Sequence, residues 1–575
     1  MKVSRLWAAG AVLTLVGALM SLTGTTSQAA PSGRFGYQPG PGHPQLSGVA
    51  NRDLVSAARG VTADQNARVA ARAASDDIQA NGDNKANPSS QFGSGAGLPQ
   101  NETTIAINPT DPKNVISGAN DYEPAVDSVM GIYVSFDGGH TWPHSGHARQ
   151  VITPDRTMLG AGDPVVAFDR AGVAYASFIS FGRPPSCDSY IGVSRSTDKG
   201  VTWTAPTDSV PVGTDITPGD GIVVHNGGAA DCRIFHDKEW MTTGPRPAGA
   251  SLVPGTDQGF VSPDRLYVTW TRFDFDEGGT GFVDSPIMIA YSDDQGRHWS
   301  TPTEISGSSP TLCAFQTGDD DAACDEDQFS VPVVDPRNGA LHVVFQNFNV
   351  NSHEHSQYLA VRSTDGGATF GGPRFITDVF DGADKYPICQ GSQTLDLMCA
   401  RIDAAGNVDI DPRTGRLYLT FSDNRNGTAT DTNNDVFVTS SSNAGQTWSN
   451  PRNLTQGSVD DQWFPWLSVT RDGVVAVTYF DRRYSGPKLI DTSLSVSTNN
   501  AANFATRRVS DVSWNPDLAF RQGVFIGDYN GLDARTGIAI PCWTDARFAE
   551  PNTPGNNPPN QQSDVMVDVE KIPTR

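Results

Sequence analysis

The feature that most constrains this chain is an octapeptide that recurs six times: Ser, any residue, Asp, any residue, Gly, any residue, Thr, Trp. Four copies are near-perfect: Ser135 to Trp142 around Asp137, Ser196 to Trp203 around Asp198, Ser292 to Trp299 around Asp294, and Ser363 to Phe370 around Asp365. Two are decayed, Ser441 to Trp448 with Asn443 in the acid position and Ser497 to Phe504 with Asn499 there. Each residue type has a mechanical use in a tight turn. A short carboxylate accepts backbone N–H groups, glycine supplies positive φ, and the terminal aromatic packs onto neighbouring strands. The octapeptide therefore reads as a hairpin turn, satisfied by local structure alone, rather than as a ligand site.

Upstream of the copies lies a second unit: an apolar strand, a turn of the Asp-Pro-x-x-Gly kind and another apolar strand, as in Pro164 to Tyr175, Val331 to His342 and Val408 to Tyr418. Alternation and turn residues mark these as β-hairpins. There are seven, opening near Glu102, Asp163, Asp237, Asp327, Asp403, Asp461 and Asp528. A hairpin followed by an octapeptide hairpin is a four-stranded antiparallel meander, and serial meanders build a β-propeller. The predicted fold is all-β, a propeller of seven blades with the octapeptides in the turns between third and fourth strands. Six blades plus an irregular hairpin is the alternative. The seventh hairpin is followed by Asp564 to Glu570 without an octapeptide, so a strand from near Gly97 is expected to complete that blade and close the ring without a free edge.

Lys2 and Arg5 precede an apolar run from Leu6 to Leu22, and the small residues from Thr25 to Ala30 offer a cleavage point. Residues 1–30 thus read as a secretory signal peptide and the mature protein as secreted. Residues 31–98, rich in Ala, Gly, Asn, Ser and Asp, read as a flexible linker or pro-segment, and 99–575 as a single propeller domain. No other segment is apolar enough to span a bilayer, so no membrane contact is expected after cleavage. A net charge of −23 argues against nucleic acid and anionic membranes as partners and is compatible with bound calcium. Nothing indicates an organic cofactor, and a monomer is expected. Seven cysteines in a secreted chain give three disulfides and one left over. Spacing pairs Cys313 with Cys324 and Cys389 with Cys399, leaves Cys187 for Cys232, and makes Cys542 a buried free thiol.

Strand parity puts the octapeptides on one face and the long loops, Thr204 to His236, Ser300 to Glu326 and Gly371 to Ala400, on the other. That second face carries the candidate chemistry. An acid stands near the start of each inner strand: Glu102, Asp163, Asp237 with Glu239, Asp327, Asp403, Asp461 and Asp528. Several of them in one channel would repel, raising some pKa values or requiring a cation. Asp and Arg recur at the ends of the second strands, as Arg272 with Asp274, Asp423 with Arg425, Asp481 with Arg482 and Arg483, and Asp545 with Arg547. They read either as braces between blades or as a clamp for an acidic sugar. His353-Glu354-His355 is a weak metal motif set against solvent-facing loop residues.

The octapeptides, with Phe464-Pro-Trp-Leu-Ser-Val and Gly527-Asp-Tyr-Asn-Gly, resemble the sialidase-like, Asp-box (BNR repeat) propellers of bacterial secreted proteins over about Gln100 to Lys571. The resemblance implies a neuraminidase-type glycoside hydrolase, an exo-α-sialidase acting on glycoconjugates, in which a tyrosine attacks and arginines hold the substrate carboxylate. By that resemblance Tyr484 and Tyr529 are the nucleophile candidates and Asp163 and Glu239 the acid or base. Arg272, Arg425, Arg482, Arg483 and Arg547 are then candidate substrate-binding residues. The family's Arg-Ile-Pro motif is absent, Arg233-Ile234-Phe235 being a poor substitute. A non-catalytic carbohydrate- or protein-binding propeller is the alternative function.

Overall fold

The computed structural model describes residues 44–47, 83–86 and 99–575, except 124–126, 149–150, 153–159, 183–185, 208–220, 227–231, 278, 280, 314–321, 349–354, 383, 404, 487 and 550–561. The expected signal peptide lies outside the described residues. Seven antiparallel sheets of four or five strands follow one another along the chain as the blades of a β-propeller. Blade one consists of Gln100–Ile107, Val115–Glu123, Asp127–Ser135 and His144–His147, from the axis outward. The innermost strands of blades two to six are Gly160–Phe168, Ile234–Pro245, Asp327–Val334, Asn407–Ile410 and Gln462–Val469. In blade seven it is Gly531–Arg535. Each innermost strand touches that of the next blade, and the seventh touches the first, so the ring is closed. Among the described residues helix is confined to a 3-10 turn at Pro516–Leu518 and a single turn at Phe520–Gly523.

The inner strands are not one-sided. Every residue of Gln100–Ile107, Asp327–Val334 and Gln462–Val469 is buried, because a blade packs against a neighbour on each face. Apolar side chains between blades one and seven, for example, bring Ile105, Ile107 and Tyr133 against Ile540, Val565 and Val567. Cys542 lies in that layer as the expected buried free thiol.

Blade seven is completed from the N-terminal side, but not from near Gly97. Asn84–Lys85 pairs with Asp564–Val567, so that Asn84 faces Val567 and Lys85 faces Met566. The pairing is sealed by the Ala86 N–H donating to the Val565 carbonyl at 2.8 Å and by Lys85 Nζ at 2.8 Å from Asp564. The closing strand comes from further upstream because Pro99 and Gln100 are already engaged in blade one: the Tyr122 N–H donates to the Pro99 carbonyl and Gln100 pairs with Asp121.

The octapeptide turns are built as their composition dictates. In the first, Asp137 Oδ1 accepts from the Thr141 N–H at 2.9 Å and Oδ2 from its hydroxyl at 2.6 Å, while Ser135 Oγ accepts from the Gly139 N–H at 2.9 Å. Gly139 sits at φ +97. Asp198 and Asp365 repeat this pattern, Asp294 binds His298 instead of a threonine, and Asn443 keeps the backbone bond with its amide oxygen. Burial raises the pKa of Asp137, but the Thr141 and Ser135 hydrogen bonds outweigh it and leave the carboxyl below its ordinary range. The three disulfides are Cys187–Cys232, Cys313–Cys324 and Cys389–Cys399. They are compatible with an extracellular protein, and among the described residues no helix is long and apolar enough to cross a membrane.

Candidate active site at the axial mouth

Five innermost strands carry the same irregularity near their start, on the face opposite the octapeptides. The register slips between Asn101 and Thr104, Gly162 and Val165, Asp237 and Trp240, Gln328 and Val331, and Trp463 and Trp466. In each case two residues oppose one, a β-bulge. The first extra residue is in the left-handed region although it is not glycine: Glu102 at φ +56, Asp163 at +55, Lys238 at +54, Phe329 at +55 and Phe464 at +48. Such conformations are unfavourable for L-residues and persist where packing enforces them. In blade seven the innermost strand has no such slip, and the left-handed residue is Gly527, ahead of the strand. Gly527 lies at φ +96, and a Cβ there would come within 2.8 Å of the Glu102 nitrogen, so glycine is what lets Asp528 approach blade one.

The bulges bring Glu102, Asp163, Asp237, Lys238 and Glu239 into one electrostatic neighbourhood with Asp403, Asp528, Tyr529 and Arg401. Asn120 organises one side, donating to Glu102 Oε2 at 2.5 Å and accepting from the Asp163 N–H at 2.9 Å. Lys238 Nζ stands 3.7 Å from Asp163 Oδ2 and 3.8 Å above the Tyr529 ring. Arg401 grips Asp528 with two N–H groups, Nε at 2.8 Å from Oδ1 and Nη2 on Oδ2. The Tyr529 hydroxyl donates to the Pro164 carbonyl at 3.4 Å, and Ser177 donates to Glu239 at 3.2 Å. Glu102 Oε1, both Asp163 carboxylate oxygens, Lys238 Nζ and Glu239 Oε2 are buried with no hydrogen-bond partner among the described residues. Trp240, Trp466 and Tyr529 form the floor, with Trp240 and Trp466 ring centroids 4.4 Å apart. Along the axis from that floor, innermost strands of all seven blades line a cavity of about 310 Å³.

Burial divides these acids. It pushes Glu102 well above the ordinary carboxylate range, helped by the neighbouring Asp163 charge, and does the same to Glu239 and Asp403. Burial also raises Asp163 to about 7 against the pull of Lys238, and Asp237 to about 6 against hydrogen bonds from Ser47. Asp528 goes the other way. Burial opposes its charge, but Arg401 and Lys238 hold it below its ordinary value. Lys238 is desolvated too, yet Glu102, Asp163 and Asp528 keep it charged. Carboxyls whose charge burial disfavours and two cations thus share one polar site dense in donors and acceptors.

Of the residues singled out in the sequence, Asp163, Glu239 and Tyr529 therefore lie together. Asp327 and Asp461 do not join them: Asp327 accepts from Asn347 at 2.7 Å, and Asp461 accepts from the Asn434 N–H and pairs with Arg482, both at 2.8 Å. Tyr484, in the loop after the second strand of blade six, bonds Ser493, and its ionic neighbours are Asp481, Arg483 and Asp491. Arg272, Arg425, Arg482 and Arg483 lie on the face opposite the octapeptides: Thr271 with Ile287, Asp423 with Asp435 and Asp481 with Asp491 stand at one end of hairpins whose other ends, Leu266 with Ser292, Leu417 with Ser441 and Val475 with Ser497, carry the turns. Each of the five arginines is held in an ion pair of its own: Arg272 to Asp274, Arg425 to Asp423, Arg482 to Asp461 and Asp396, Arg483 to Asp481, and Arg547 to Asp545 and Asp83. Residues 353 and 354 lie outside the described residues, and His355 stacks on Phe380. Among the described residues no group of three or more His, Cys, Asp or Glu is arranged to hold a metal ion. Sequence reasoning missed Lys238, which stands between two acids it did single out, and Arg401, two residues before Asp403.

No protein-family profile matches the chain, and no curated protein matches it in sequence. Solved structures similar to it include a Hadza microbial sialidase, at 15% identity and a TM-score of 0.40, over 81% of this chain and 75% of that one. An α-L-arabinofuranosidase from Fusarium graminearum is 12% identical with a TM-score of 0.40, over 85% and 97%. A leech intramolecular trans-sialidase is 12% identical with a TM-score of 0.37, over 86% and 70%.

Proposed function

We propose that the protein hydrolyses glycosidic bonds at the axial mouth, with an exo-α-sialidase-type reaction on glycoconjugate sugars as its specific form. The observation that carries this reading is a single buried site that gathers carboxyl groups and two cations around a tyrosine, with burial shifting Glu239 up and Arg401 holding Asp528 down. Glu239, whose charged form burial disfavours, is the proton donor to the leaving oxygen. Asp163, at about 7 and one residue from the carbonyl that Tyr529 bonds, takes the phenolic proton as the Tyr529 oxygen attacks the anomeric carbon. Water then cleaves the aryl glycoside with the proton transfers reversed. Arg401 is the cation within the cluster that can meet a substrate carboxylate, in exchange for Asp528.

The test is release of product by the full chain from a fluorogenic glycoside panel that includes sialosides, set beside glycan-array binding. Tyr529→Phe should abolish turnover, and Glu239→Gln should lower it by about 10²–10⁴-fold. The second reading, a non-catalytic glycan- or protein-binding propeller, is favoured by one observation: the five arginines at the strand ends are already paired. Glycan binding without turnover supports that reading, and absence of both refutes the two together.

A further inference from the structure

Residues Pro44–Ser47, far upstream of blade one, lie in the axial mouth and are held by side chains from three parts of the ring. Gln328, at the bulge of blade four, meets both polar groups of Gln45: its Oε1 accepts from the Gln45 N–H at 2.9 Å, and its Nε2 donates to the Gln45 carbonyl. Arg401 Nη1 donates to the Leu46 carbonyl at 2.9 Å, and Asp237 Oδ2 accepts from the Ser47 N–H at 2.7 Å. Four main-chain groups of three successive residues are thus read by side chains that are themselves buried. A carboxamide that takes the N–H and C=O of one residue copies the pairing a neighbouring strand would offer. Leu46 is 4% exposed and belongs to the apolar cluster that includes Tyr122, Phe520 and Phe525.

We propose that the axial mouth is a peptide-binding site, and that Gln45-Leu46-Ser47 is its built-in occupant, an intramolecular plug recognised by its main chain and one leucine. The contacts have the character of ligand recognition. Hydrogen bonds to the backbone fix the path of the chain, and a single leucine side chain is buried in an apolar cluster. Arg401 and Asp237 belong at once to the cradle and to the carboxylate cluster, so the plug and any ligand of that cluster compete for one space. The chain is anchored again at the rim, where Asn84–Lys85 is the outer strand of blade seven, so release of the plug does not require the ring to open.

The inference rests on these contacts and does not need the mouth to be catalytic. It is tested with the full chain, its Leu46→Asp variant and its Ser47→Pro variant, which removes the N–H that Asp237 accepts without adding a charge. The probe is a fluorescein-labelled peptide of residues 40–50, followed by fluorescence anisotropy. Expelling the leucine should open the site, so both variants should bind the peptide at least about 30-fold more tightly than the unmodified chain does. Adding Gln328→Ala to the Leu46→Asp chain should weaken that binding, and a peptide with aspartate in place of the leucine should not bind. Amide exchange at Gln45 should be slow in the unmodified chain and fast in both variants. Equal binding of the peptide to all three chains, or no binding to variants in which the Gln45 amide has become fast, overturns the proposal. Glycoside turnover enters none of these readouts, so its absence would refute the hydrolase reading and leave this result standing.

Discussion

Replacing Arg547 by methionine should destabilise the ring at its closure. The guanidinium lies 2.7 Å from Asp83 Oδ2 and 2.7 Å from Asp545 Oδ2, and its side chain is 4% exposed while both carboxylates are fully buried. Asp83 directly precedes the closing strand and also accepts from the Asp511 N–H at 2.9 Å, so one side chain ties blades six and seven to the N-terminal segment. Burial lifts the Asp83 pKa and the arginine recovers only part of it, whereas Arg547 itself is held further into its charged form. The two close contacts hold the pair ionised. Methionine preserves most of the packing but leaves two carboxylates buried without their cation, which costs about 3–5 kcal/mol. Arg272→Ala is the control. Its pair with Asp274 is 27% and 19% exposed and lies within one strand, so about 1 kcal/mol or less is expected. Urea unfolding gives the stabilities, and amide exchange at Ala86, whose N–H donates to Val565, reports the closing strand. Equal stability of the two variants, with Ala86 still protected in Arg547→Met, would refute the brace.

Asp198→Asn should lower stability by less than about 0.5 kcal/mol and Asp198→Ala by about 1–2 kcal/mol, because Asn443 already holds the same turn through its amide oxygen at 3.0 Å from the Thr447 N–H; urea midpoints of the two variants decide. Asp163 at about 7, Asp237 at about 6 and Asp409 at about 7 are raised by burial, so each keeps in the folded state a proton that the unfolded chain gives up near pH 4. For these groups the folded state binds more protons, and their contribution to stability should fall as pH rises from about 4 to 7, by up to about 1.4 kcal/mol per pH unit each, while buried His236 and His342, shifted down to about 3 and about 4, contribute with the opposite sign. Asp409→Asn should make the slope less negative than in the unmodified chain, and an unchanged slope would contradict the burial account. Asp163→Gly and Asp163→Ala remove the same carboxylate, but only glycine is at ease at φ +55, so the glycine variant should be more stable by about 1–2 kcal/mol. Equal unfolding midpoints would show that the bulge is unstrained.

What the sequence makes legible is what short-range bonding determines. The octapeptide turn closes its hydrogen bonds within a few residues, from Ser135 to Thr141, so composition alone specifies it. The Asp-x-Arg pairs are equally local: Asp423 accepts both the Arg425 N–H and its Nε. Their proximity in sequence also explains why they brace rather than converge. The acids of the inner strands are legible as positions but not as roles. Asp163 and Asp327 both stand at the head of an inner strand, yet one falls on the left-handed bulge residue and the other lies two positions before it, and this decides which side chain reaches the cluster. Lys238 and Arg401 meet carboxylates on other blades, Asp163 and Asp528 among them, and Leu46 joins an apolar cluster that includes residues as distant as Phe520 and Phe525. No local pattern encodes such meetings.

The two ends of the axial channel are built on opposite principles. Toward the octapeptides the innermost strands pair regularly, and the channel is lined by residues such as Ile105, Val166, Val331 and Leu532 in unstrained extended backbone. At the other end five of the strands break register, and each holds a non-glycine residue at a positive φ. A left-handed L-residue is unfavourable by about 1–2 kcal/mol, and the penalty recurs from blade to blade at one level of the ring. Packing on both faces of every blade supplies the stability that tolerates it. Strain of this kind is not needed to close a propeller, since Asn407–Ile410 in blade five pairs in unbroken register. Its effect is to turn Glu102, Asp163 and Lys238 out of the alternating strand pattern and toward one another, where burial sets their protonation. The backbone irregularity and the perturbed carboxyls are therefore one feature: the bulges aim the side chains, and the company they keep gives the mouth its chemistry.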